Sequence, residues 1–115
     1  MAEELLSILY RDAQIVVIDK PPNLLVHRSE IDRHETRFAI QILRDQIGQR
    51  VWPAHRLDRG TSGVLLFGLS SEIASRLGKQ FEAGTVDKRY WAIVRGHPPA
   101  FGTIDHALSR QRDAY

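Results

Sequence analysis

Residues 64–69 read Val64-Leu65-Leu66-Phe67-Gly68-Leu69, an apolar run set between the turn formers Gly60-Thr61-Ser62-Gly63 and a serine, Ser70. So short a run between such boundaries predicts a strand, and its lack of alternation predicts burial on both faces. A strand of that kind needs neighbours to pair with and something to cover each side. Residues 15–19 supply a second strand, β-branched at Ile15, Val16, Val17 and Ile18. Lys20-Pro21-Pro22-Asn23 ends it, because consecutive prolines lack donors and lock the backbone. Residues 5–10 read as a strand before it, with a turn at Arg11-Asp12-Ala13. Residues 24–27 read as a short extended piece and the charged stretch 30–35 as loop.

From Thr36 the apolar period changes to that of a helix. Phe38, Ala39, Ile42, Leu43 and Ile47 share one face, and Gly48 suits a C-terminal stop. Residues 51–54, with Pro53, read as a connector or edge strand. A second helix is expected after Ser70, which can cap it, with Glu72 favourable in its first turn. Its apolar stripe is Ile73, Ala74, Leu77 and Phe81, and Gly84 ends it. Residues 86–95 alternate well enough to predict a further strand, with a short one near residues 102–105. The fold class expected is α+β, a mixed and largely antiparallel sheet with flanking helices. A chain of 115 residues holds one core, so residues 1–115 are read as a single domain.

The absence of cysteine excludes a disulfide scaffold, a thiol nucleophile and a Cys-ligated metal, and fits a cytoplasmic protein. The five histidines lack metal spacing, so no metal is expected, and no apolar run is long enough to span a membrane. Net charge is +2, but unevenly spread, with an acidic excess over residues 1–19 and a basic excess over residues 55–95. Thirteen of the 16 basic residues are arginine, whose planar fork suits phosphates and base edges. On composition alone, a coding bias toward arginine is the favoured reading. Phosphate loops of the Gly-x-x-x-x-Gly-Lys and Gly-x-Gly-x-x-Gly types are absent.

One segment concentrates chemistry: His55-Arg56-Leu57-Asp58-Arg59-Gly60-Thr61-Ser62-Gly63. It places a carboxylate between two arginines on a glycine-bounded turn, directly before the apolar strand. Thr61, Ser62 and turn N–H groups are expected to orient Asp58. An oriented carboxylate beside phosphate-seeking arginines suits attack on a nucleotide or proton removal from it. On spacing alone, an ordinary surface Asp–Arg pair is the favoured reading, because such pairs are common and most contribute little.

This segment resembles the signature of the RluA-type family of pseudouridine synthases, in which His-Arg-Leu-Asp precedes a Thr-Ser-Gly turn and an apolar strand. Lys20-Pro21-Pro22 with Leu25-Val26-His27 is similar to the family's early Lys-Pro segment. Lys88-Arg89-Tyr90-Trp91 resembles its Lys-x-Tyr strand. Within the family, Val26-His27-Arg28-Ser29, residues 43–49 and residues 68–72 are most similar to members acting on tRNA. The resemblance implies a pseudouridine synthase fold, an RNA partner and no cofactor, with tRNA favoured and large-subunit ribosomal RNA as the alternative. It implies that Asp58 is the catalytic carboxylate and that Arg56 takes the space of the flipped uridine. It implies that Tyr90 stacks on the target base and serves in removal of the C5 proton. Arg59 and Lys88 are implied as RNA contacts. Lys20 and Lys88 each suit a phosphate contact or a solvated charge, and His55 a loop-ordering hydrogen bond.

The family also carries a later basic segment that pairs with the aspartate and completes the sheet. Arg110 and Arg112 lack its surrounding pattern. The expectation is therefore a chain truncated at the C-terminus, the N-terminal part of a catalytic domain, prone to self-association. An inactive RNA-binding fragment and a poorly folded gene remnant are the competing readings.

Overall fold

The computed structural model describes residues 5–27 and 37–107. Its elements are β1 (Ser7–Arg11), β2 (Ile15–Lys20), α1 (Ala39–Ile47), β3 (Trp52–Pro53), β4 (Gly63–Gly68) and α2 (Ser71–Glu82). The four strands form one sheet in the order β1-β2-β4-β3, and every pair is antiparallel. The α+β class with a largely antiparallel sheet is therefore the observed one.

Register decides which residues meet. β2 and β4 pair Val16 with Phe67 and Ile18 with Leu65, and all four are fully buried. Side chains alternate along a strand, so these four form one face of the sheet. Ala39 and Leu43 of α1 close over that face, joined by Leu6, Leu24, Val26, Val51 and Leu57. The first N–H groups of α1 find partners in the preceding extended piece: Ala39 N–H donates to the Leu25 carbonyl (2.8 Å) and Ile40 N–H to that of Val26 (3.0 Å). This satisfies donors that every helix start leaves open. Gly48 ends α1 as expected, its N–H donating to the Arg44 carbonyl (2.9 Å). The loop read over residues 30–35, and Thr36, lie outside the described residues.

β4 departs from expectation on its second face. Leu65 and Phe67 are fully buried, but Val64 is 62% exposed. Burial on both faces needs cover along the whole strand, and α2 covers only its far end. α2 starts where expected, with Ile73 N–H donating to Ser70 Oγ (3.1 Å). It then runs so close to β4 that a Cβ on Gly68 would sit 2.6 Å from the Ala74 backbone nitrogen. Gly68 is thus required by close approach of two backbones.

The strand expected over residues 86–95 does not form, nor does the short one near 102–105; residues 85–107 carry no regular secondary structure. Trp91 is 96% exposed, and Ile93, Phe101 and Ile104 are exposed with it. Alternation fixes which side chains would share a face, but ladder bonds come from a second strand, and this segment pairs with none of β1–β4. Among the described residues, no helix is long and apolar enough to cross a membrane.

The Gly68 contact gives a direct stability test. Gly68→Ala should lower unfolding free energy in urea by about 1–3 kcal/mol, the usual cost of forcing atoms into a packed site. Gly60→Ala, where an added Cβ meets nothing within 4 Å, should stay within about 0.5 kcal/mol of the parent.

Candidate active site

The loop 55–63 leaves the sheet at β3 and re-enters it at β4. Its spacing has a structural cause. Leu57 is buried in the core, while Arg56 and Asp58 on either side of it are exposed. One apolar anchor thus presents a guanidinium and a carboxylate to solvent from adjacent positions. Thr61 N–H donates to the Asp58 backbone carbonyl (3.0 Å), closing a turn over Arg59 and Gly60. That bond orients the backbone carrying the carboxylate rather than the carboxylate itself, which refines the orienting role expected of Thr61. Gly63, at φ 129°, turns the chain into β4 in a conformation that favours glycine.

The loop is clamped from below by Lys20, which is neither a phosphate contact nor a solvated charge. Its side chain is fully buried, on the same face of β2 as Val16 and Ile18. The Lys20 ammonium donates to the carbonyls of Pro21 (2.9 Å), Leu24 (2.7 Å) and Arg59 (3.2 Å). Three donors meet three acceptors, which is the full capacity of an ammonium group. Burial lowers the Lys20 pKa from its ordinary value, and the nearby negative charge of Asp58 opposes that shift. The Arg59 carbonyl also accepts from Asn23 N–H (2.7 Å). Asn23 holds a positive φ of 66° that turns the Pro-Pro segment back under the loop. The sequence signal for this role was the alternation Val16, Ile18, Lys20.

His55 makes the loop-ordering hydrogen bond expected of it. Ala54 N–H donates to the Leu66 carbonyl (3.0 Å), and the next ladder position is filled by a side chain: Leu66 N–H donates to His55 Nε2 (3.1 Å). The imidazole therefore stands in for a strand carbonyl where β3 has ended. Its ring stacks on Phe81 of α2, with centroids 4.3 Å apart and planes 17° from parallel. Burial, and after it the positive charge of Lys88, hold the His55 pKa below its ordinary value.

The structure brings Arg56, Asp58 and Arg59 together on one loop, and sets the Lys88 charge close enough to act on His55. Tyr90 is placed differently from expectation: it is 59% exposed on the irregular segment rather than on a strand of the sheet. Arg110 and Arg112 lie outside the described residues. No three His, Asp or Glu side chains among the described residues converge in a way that could hold a metal ion.

Comparison with known proteins adds to this geometry. A family model described as RNA pseudouridylate synthase matches residues 14–115. The tRNA pseudouridine synthase C of Pasteurella multocida is 58% identical over 108 residues, which are 94% of this chain and 44% of that protein. The protein of the same name from Haemophilus influenzae is 56% identical, over 95% of this chain and 46% of its own. The chain thus spans less than half the length of these relatives. Among solved structures, Human RNA Pseudouridylate Synthase Domain Containing 4 is similar with a TM-score of 0.56 and 26% identity, over 69% of this chain and 30% of that one.

Replacing Lys20 tests the clamp. Lys20→Met keeps the length and apolar stem but takes the ammonium from the Pro21 carbonyl and the buried Leu24 carbonyl, while that of Arg59 keeps Asn23 N–H. It should destabilise the chain by about 2 kcal/mol in urea unfolding. A change under about 0.5 kcal/mol would show that the three carbonyls do not depend on the ammonium.

Proposed function

The chain belongs to the RNA pseudouridylate synthase family, and from that membership we propose that it serves in converting uridine to pseudouridine in tRNA, with Asp58 as the catalytic carboxylate. The observation that carries this reading is the presentation of Asp58. It is an exposed carboxylate on a loop held by the buried Leu57 and the buried Lys20. Arg56 and Arg59 flank it as positive groups suited to RNA.

The reaction breaks the bond between uracil N1 and ribose C1′, turns the base, and forms a bond from C1′ to C5. A proton leaves C5 and one is taken up at N1, so atoms balance without a cofactor. One carboxylate can serve by attacking the sugar or the base, or by removing a sugar proton. The target base must first leave its stack, at a cost of a few kcal/mol. Arg56 entering the vacated space, and Tyr90 stacking on the extruded uracil, would offset that cost. Tyr90 would also serve in removing the C5 proton. Arg59 and Lys88 would contact the RNA backbone. The names of the relatives support tRNA over ribosomal RNA, and a cytoplasmic location goes with that reading. A second reading, an RNA-binding module without turnover, is favoured by the exposure of Tyr90 on a segment that joins no strand.

Tritium release from C5-labelled uridine in tRNA separates the two. Asp58→Asn should reduce release to background while leaving tRNA affinity within about twofold of the parent. Substantial release by Asp58→Asn would remove the carboxylate from the mechanism, and none from the parent chain would favour the binding module. RNA binding should also weaken with salt, and Arg59→Ala or Arg89→Ala should each lower the salt slope by roughly one unit. Affinity indifferent to salt would contradict phosphate contact by these arginines.

A further inference from the structure

We propose that His55 is a positioning residue for the Asp58 loop, acting as a neutral imidazole whose Nε2 accepts the Leu66 N–H and whose ring is braced on Phe81; this rests on the reading of Asp58 given above. Three observations meet at one side chain. The Leu66 amide donates to Nε2 at 3.1 Å, so the lone pair faces β4 and the ring proton belongs on Nδ1. The bond takes the ladder position next to the one that Ala54 fills on Leu66, at the point where the chain departs toward Arg56 and Asp58. The stack on Phe81 fixes the ring plane, which ties the loop's first residue to α2 as well as to β4. His55 is thus the junction of two elements and the loop, three residues before the carboxylate.

Such a junction has a chemical condition. Protonation at Nε2 would set two N–H donors face to face and break the bond to Leu66. The groups facing the ring are the Leu66 amide from β4, the Phe81 ring from α2 and the Lys88 ammonium from the segment after α2. The first two carry no charge, and the third disfavours a second positive charge beside it. Burial acts in the same direction and is the larger cause. The neutral form is therefore held at pH 7. The loop should release as pH falls below the ordinary histidine value of 6.5 and toward the lower folded value.

The test uses the 115-residue chain. Nitrogen-15 spectra of the histidine ring at pH 7.5 should show a bare Nε2 and a protonated Nδ1. On acidification the Leu66 amide and the amides of Arg59, Gly60 and Thr61 should shift together, with one midpoint below 6.5. His55→Gln keeps an acceptor but cannot titrate, so it should hold the loop signals near their neutral positions and abolish the shift. His55→Phe keeps the stack without an acceptor and should displace them at every pH. A protonated Nε2 at pH 7.5, or loop amides that ignore the His55 midpoint, would overturn the proposal even if His55→Phe fails to fold. Where the parent turns over tRNA, His55→Phe should lower kcat about tenfold with KM little changed, and His55→Gln should restore most of it. A parent without turnover counts against the proposed function alone, because the spectra decide the role of His55.

Discussion

A cation removed from water must be met by acceptors, and Lys20 meets this condition with three backbone carbonyls drawn from two segments. Pro21 and Leu24 belong to the turn that follows β2, and Arg59 belongs to the loop that carries Asp58. These segments are far apart in sequence, yet one ammonium joins them, and Asn23 repeats the connection through its own N–H. The desolvation cost of the charge makes the arrangement all-or-none, since a carbonyl moved away leaves a donor unsatisfied in an apolar site. A surface loop, which by default is mobile, is in this way made part of the core. The polar clamp and the apolar anchor Leu57 hold the same stretch from beneath.

The opposite end of the loop depends on a different device. Where β3 runs out after two residues, the His55 ring takes over a ladder bond to β4 and leans on α2. The loop is thus held by a buried cation on one side and a neutral aromatic acceptor on the other. Residues 85–107 present the contrast: basic and aromatic groups with no ladder and no core to hold them. The chemistry proposed for Asp58 therefore draws on the part of the chain built of strands and helices, and that proposed for Tyr90 on the segment without regular structure.

Much of the strand-and-helix part was legible in the sequence because its signals are local. The β-branched run 15–19, the caps at Ser70 and Gly48, and the apolar stripes of both helices each specify structure within a few residues, and each is where it was expected. The signature loop was equally legible, since Asp58, its arginines and its glycines are contiguous. What could not be read depended on distant partners. The strand expected over residues 86–95 required a neighbour that alternation does not name. The exposure of Val64 depended on how far along β4 the second helix would reach. At Lys20 residue type argues for solvent, while its position two residues after Ile18 argues for the core; the three carbonyls that decide the matter lie in two separate segments.

The central claim is that the Asp58 loop shares the stability of the sheet rather than moving on its own. Amide hydrogen exchange of the intact chain measures this most directly, because each clamp has a reporter: Asn23 and Thr61 for the carbonyls of Arg59 and Asp58, and Leu66 for His55. These three amides should open with a free energy within about 1 kcal/mol of that for Leu65 at the centre of β4. Exchange of Asn23 and Thr61 at rates typical of an exposed loop, while Leu65 stays protected, would contradict it.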